Sequence, residues 1–118
     1  MLIVEDEPMI GRILAEKLTR EGYAVSRATT IEALSAALST ADVALVDCTL
    51  DGDGIDAMSR LARMGIHPRA GWFAMLESRA AHDGGRAVLA GAAGVILKPF
   101  KPTAVAAQVA TLLAATVR

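Results

Sequence analysis

Residues 2–8 read Leu2-Ile3-Val4-Glu5-Asp6-Glu7-Pro8. A short apolar run halts on consecutive carboxylates, and a proline follows. Such a run is a buried strand, and Pro8 suits the first turn of a helix, where a missing N–H costs nothing. Ile10, Ile13, Leu14 and Leu18 continue at helical spacing, and Gly22 stops them. The same alternation recurs along the chain. Tyr23 to Ala28 reads as a second strand. Thr29 with Glu32 forms a capping box ahead of a helix carrying Ile31, Leu34 and Leu38. Val43-Ala44-Leu45-Val46 is a third strand and ends on Asp47. Asp51-Gly52-Asp53-Gly54 is loop chemistry, and Ile55 to Met64 is helical up to Gly65. Trp72 to Leu76, a helix from Ala80 to Ala90, Val95 to Leu97, and a last helix from Thr103 to Thr116 complete the series, with Thr103 as N-cap.

These are five βα units within 118 residues, one domain spanning residues 1–118. Continuous apolar runs fit strands buried on both faces, so the fold class is α/β with a parallel sheet covered by helices. Hydrophobic residues make up 53% and charged residues 21%, which excludes global disorder. The net charge of −1 leaves no electrostatic footprint for direct nucleic-acid binding. One cysteine excludes a disulfide framework and fits a reducing, cytoplasmic setting. No apolar run is long enough to span a membrane. Glu5, Asp6, Glu7 and Pro8 are foreign to a signal peptide.

In an open parallel sheet, ligands gather at the carboxyl ends of strands. There the first strand offers Glu5 and Asp6, the third Asp47, and the fifth Lys98-Pro99. Two carboxylates about 4 Å apart repel by roughly 4 kcal/mol at an effective dielectric near 20, so such a cluster needs a cation. Carboxylate oxygens select Mg²⁺, Mn²⁺ or Ca²⁺ over zinc.

With Leu2 to Pro8, Ala44-Leu45-Val46-Asp47, and Ala90-Gly91-Ala92 leading to Lys98-Pro99-Phe100, the whole chain resembles the receiver domain of two-component response regulators, single-domain or excised. The resemblance implies a flavodoxin-like, three-layer (βα)₅ fold with strand order 2-1-3-4-5. It matches Asp47 to the phosphoacceptor, and Glu5 and Asp6, with Asp47 and the Thr49 backbone carbonyl, to the Mg²⁺ ligands. Lys98 matches the lysine that pairs with phosphoryl oxygens, and the Lys98-Pro99 peptide is expected to be cis. The implied function is a phosphorylation-operated switch of a phosphorelay, an enzyme only toward its own phosphorylation and dephosphorylation. Its implied partners are a histidine kinase or phosphotransfer protein, and a downstream protein on the face of the fourth helix, fifth strand and fifth helix.

The pattern departs from that family at several places. A Ser or Thr usually ends the fourth strand; counting back from Lys98 lands near Leu76, and the next residues are Glu77 and Ser78. Ser78 could supply the hydroxyl, whereas an inward Glu77 would repel a phosphoryl group. Val95 replaces the usual aromatic residue, and Asp51 replaces a proline. These departures favour the alternative reading, a phosphorylation-independent interaction module on the same fold. A calcium loop over 49–60 lacks acids at both ends, where Thr49 and Arg60 stand. A Mg²⁺ phosphohydrolase of the Asp-x-Asp type would need an acid in place of Thr49.

Overall fold

The computed structural model describes residues 1–48 and 53–116. Five strands, β1 (Leu2–Val4), β2 (Ser26–Ala28), β3 (Val43–Asp47), β4 (Gly71–Glu77) and β5 (Gly94–Lys98), form one sheet in the order β2-β1-β3-β4-β5. Each neighbouring pair is parallel. The helices between and after them are α1 (Pro8–Arg20), α2 (Ile31–Leu38), α3 (Gly54–Arg63), α4 (Gly84–Leu89) and α5 (Pro102–Thr116). This is the flavodoxin-like arrangement expected from the sequence.

Strand alternation divides the core into two layers. Leu2, Val4, Ala44, Val46, Trp72, Ala74 and Leu76 pack with Leu34 and Leu38 of α2, Ile55 and Met58 of α3, and Ala87 of α4. Ile3, Val43, Leu45, Phe73, Met75 and Ile96 pack on the other face with Leu14 and Leu18 of α1 and Val105 and Val109 of α5. Both layers are apolar because parallel strands are covered on both sides.

Several local expectations shift. β2 is an edge strand of three residues, with Ser26 and Arg27 exposed, shorter than the 23–28 expected. Thr30, not Thr29, caps α2, its hydroxyl accepting the Ala33 amide at 3.2 Å. Pro102 opens α5, so Thr103 lies inside the first turn rather than capping it. The expected helix over 80–90 is two pieces, a 3₁₀ turn at Ser78–Asp83 and the short α4. The backbone leaves helical geometry at Ala80, and Gly84-Gly85, poor helix formers, make up the start of α4, so no single helix runs through the segment.

α3 starts tightly against the end of β3. Asp53 caps it, one carboxylate oxygen accepting the Asp56 amide at 3.1 Å. The Gly54 amide donates to the Cys48 carbonyl at 3.1 Å. A Cβ on Gly54 would meet the Cys48 Cα at 2.8 Å and the Asp47 carbonyl oxygen at 3.2 Å, both rigid backbone. Gly54→Ala should therefore lower stability to urea by about 1–3 kcal/mol, the overpacking range. Helix propensity alone gives the opposite sign, so an unchanged or raised midpoint would show that α3 moves aside freely.

Candidate functional site at the carboxyl ends of β1, β3 and β5

Sheet alternation builds the site. Ile3, Leu45 and Ile96 lie in the core layer under α1 and α5. Two residues further along each chain come Glu5, Asp47 and Lys98, which therefore project from the same face. The ladder continues through Glu5, whose amide donates to the Ala28 carbonyl at 3.1 Å. The same alternation makes these the only buried charged residues among the described ones, with Glu5 at 2%, Asp47 at 3% and Lys98 at 8% exposure.

The Lys98 ammonium lies 2.8 Å from Glu5 Oε2 and 3.2 Å from Asp47 Oδ2. It donates a hydrogen bond to Asp47. Burial works against the ammonium, yet Glu5 and Asp47 together hold its pKa above the ordinary lysine value. Glu5 is pushed up to about 7, first by burial and then by Asp47, with Lys98 opposing both. Its other oxygen, Oε1, accepts the Glu7 amide at 3.2 Å. The buried Oε2 is ion-paired with the Lys98 ammonium.

Asp6 joins this group from the β1–α1 turn and is exposed. One carboxylate oxygen each from Glu5, Asp6 and Asp47 lies within 4.8 Å of the others. All-oxygen donors, two of them buried and one open to solvent, fit a hard divalent cation that keeps several of its waters. Thr49, expected to add a backbone carbonyl, and Asp51 lie outside the described residues.

At the end of β4, Glu77 pairs in register with Lys98 and Met75 with Asp47 and Ile96. Glu77 thus shares the sheet face of Asp47 and Lys98 and is half-buried. Ser78 follows the strand, and its hydroxyl donates to the Lys98 carbonyl at 2.8 Å. Leu76 faces the opposite core layer and is buried. The Lys98-Pro99 peptide is cis, as the resemblance implies.

Cys48, next to Asp47, is a buried small side chain with its thiol pKa pushed up to about 12, by burial and then by Asp47. It stays protonated and is no competing nucleophile. One connection has no counterpart in the sequence reading: Arg86 of α4 forms an ion pair with Asp53 at the start of α3. Asp53 carried a readable signal as an N-cap before an apolar helix. Its partner, 33 residues away on the surface, carried none.

Comparison with known proteins agrees with this fold. The family model of the response regulator receiver domain matches residues 1–110, and the chain belongs to that family. Among solved structures, the receiver domain of NtrX from Brucella abortus superposes with a TM-score of 0.85 at 24% identity, covering 95% of this chain and 96% of that one. The chain spans only 27% of the longer NtrX chain. The receiver domain of the TMAO respiratory system response regulator TorR gives a TM-score of 0.83 at 26% identity, covering 95% and 93% of the two chains. A Francisella response regulator receiver domain gives 0.85 at 18% identity, covering 98% and 96%. No curated protein matches the sequence.

The raised Glu5 value has a consequence for stability. A carboxyl that binds its proton more tightly when folded stabilises the fold at low pH and loses that contribution as pH rises from about 4.5 to about 7. The carboxylates held low, Glu21, Asp42 and Asp53, titrate mostly below that window and act in the opposite direction. In metal-free buffer the urea midpoint should fall between pH 5 and 7.5, by on the order of 1–2 kcal/mol in stability. In Glu5→Gln the fall should be largely gone; an equally steep fall in the variant would place the titrating group elsewhere.

Proposed function

We propose that this receiver domain is a phosphorylation-operated switch that accepts a phosphoryl group on Asp47 with Mg²⁺ and changes its partner binding. The observation that supports this best is the buried triad: Asp47 at the end of β3, with the Lys98 ammonium 3.2 Å from one oxygen and Glu5 on the same ammonium. A carboxylate oxygen of Asp47 attacks phosphorus, an O–P bond forms, and the bond from phosphorus to the donor breaks. With a histidine kinase or phosphotransfer protein as donor, the broken bond is P–N, and the imidazole takes up a proton from solvent.

Glu5, Asp6 and Asp47 would hold the Mg²⁺, with the Thr49 carbonyl as the expected fourth protein ligand. When bound, the ion neutralises charge on the transferring group. Lys98 pairs with Glu5 and Asp47 before transfer. After it, the same ammonium has phosphoryl oxygens to pair with, a charge-assisted contact. Ser78 is the nearest hydroxyl after β4, and turning it to the phosphoryl group breaks its bond to the Lys98 carbonyl. In this reading the domain catalyses only its own phosphorylation and dephosphorylation.

A groove beside the site, about 240 Å³, is lined by Ile10 and Ile13 of α1 and by Lys98, Pro99, Phe100 and Pro102. It offers the donor protein an apolar surface next to the lysine. For the downstream partner, Val88 and Leu89 of α4 and Leu97 of β5 are exposed apolar side chains on the α4–β5–α5 face. No helix among the described residues is long and apolar enough to cross a membrane, which is consistent with the cytoplasmic setting we assign.

A second reading, a phosphorylation-independent interaction module, draws on Glu77, a carboxylate in register with Lys98 where the family usually has a hydroxyl. Intact mass separates the two. After incubation with a small-molecule phosphodonor and Mg²⁺, the wild type should gain one base-labile phosphoryl group. Asp47→Asn should gain none while keeping its fold, since an amide is a far poorer nucleophile. A wild type that never gains mass would favour the interaction module. Lys98→Ala should still be phosphorylated, more slowly, but with smaller amide shifts along the ends of β4 and β5; shifts equal to wild type would remove Lys98 from the switch.

A further inference from the structure

α4 is built to be held from outside. It has six residues, opens on Gly84-Gly85, and has no side-chain cap. So short a helix does not stand alone in water. The 3₁₀ turn ahead of it is interrupted at Ala80, with φ −105° and ψ 18°. Its one fully buried side chain is the methyl of Ala87, while Val88 is 56% and Leu89 90% exposed. Apolar burial therefore anchors it weakly.

Arg86 supplies a different anchor. Its guanidinium pairs with Asp53 Oδ2, and Nη1 lies 3.8 Å from Asp83. The other Asp53 oxygen caps α3 through the Asp56 amide. Gly54, the next residue, is packed on the Asp47–Cys48 backbone. Contacts thus run without a break from the backbone of Asp47 through Gly54 and Asp53 to Arg86 and α4. The charges are mutually supported. The Asp56 amide and Arg86 outweigh burial to hold Asp53 below the usual carboxylate range, and Asp53 raises Arg86.

We propose that the Asp53–Arg86 ion pair is a latch that fixes α4 against the start of α3 and opens when Asp47 is modified. The opening rests on the reading of Asp47 as phosphoacceptor; the latch itself belongs to the unmodified protein. A phosphoryl group adds about −1.5 to −2 charge at Asp47. That charge competes with Asp53 for the guanidinium. Cys48, beside Asp47, accepts the Gly54 amide on its carbonyl at 3.1 Å, which sets Asp53 and its partner Arg86 next to the end of β3. Arg86 is a positioning residue in this device and touches no reacting atom.

Amide hydrogen exchange on the full chain tests it. Asp53→Asn keeps an oxygen for the α3 cap and removes the charge; Arg86→Gln removes the other half of the pair. In each variant the amides from Arg86 to Ala92 should exchange about two- to fivefold faster, the scale of an exposed ion pair. Core amides of β1 and β3 should be unchanged. The double variant should exchange no faster than Arg86→Gln alone, because that variant already lacks the Asp53 pair as well as the 3.8 Å approach to Asp83. Unchanged α4 exchange in the singles, or effects that multiply in the double, would overturn the latch. With phosphodonor and Mg²⁺, wild-type α4 should speed up similarly and the variants should show little further change. A wild type that carries the phosphoryl group by mass but keeps α4 protected would overturn the opening step. A wild type that takes up no phosphoryl group would remove the reading beneath the opening step, while the exchange of the unmodified variants still decides the latch.

Discussion

One ammonium holds two buried carboxylates, and the rest of the site is arranged around that contact. Glu5 and Asp47 are buried at the ends of adjacent strands, β1 and β3, where their charges repel. Removing such groups from water costs several kcal/mol each unless they are paired. Lys98, from the far edge strand β5, supplies the pairing at 2.8 and 3.2 Å. The contact closes only if all strands keep their register, because a slip of one residue would turn each of these side chains to the other face. The two apolar layers fix that register. Stability of the sheet and geometry of the site are therefore one requirement.

The pairing leaves a residual tension that suits a site meant to change state. Glu5 is buried and ion-paired, yet burial and the neighbouring Asp47 keep its pKa near neutrality, at about 7. A cation, or a phosphoryl group that draws Lys98 away, alters this balance more than it would alter a fully satisfied network. Consequences can travel by two routes. One runs through β5 to Ser78, whose hydroxyl sits on the Lys98 carbonyl. The other runs through Gly54, Asp53 and Arg86 to α4, a helix of six residues.

Much of this was legible in the sequence, for physical reasons that differ by residue. The central strands were plain because burial on both faces leaves continuous apolar runs. Glu5, Asp6, Asp47 and Lys98 stood out because charge at the end of such a run is unusual. The spatial order of the strands came from resemblance, since no local pattern encodes which strand lies beside which. β2 was overextended because Tyr23 and Val25 pack on the core layer without belonging to the ladder. The spacing of apolar residues predicts one helix over 80–90 because it does not register the break at Ala80 or the weak glycine start of α4. The Asp53–Arg86 pair was invisible: surface charges far apart in sequence pair by geometry alone. The end of β4 was ambiguous between Glu77 and Ser78, and the register places Glu77 opposite Lys98.

In the proposed switch the Asp47 carboxylate, and no neighbouring group, carries the phosphoryl group. Borohydride reduces an acyl phosphate to the alcohol, so it converts a phosphorylated aspartate to homoserine and leaves free carboxylates and phosphate esters untouched. Wild-type protein exposed to a small-molecule phosphodonor and Mg²⁺, reduced with borohydride and fragmented, should show homoserine at position 47 alone. Homoserine at Asp51 or Asp53, a phosphate ester on Thr49 or Ser78, or no modification at all would rule out Asp47 as the phosphoacceptor.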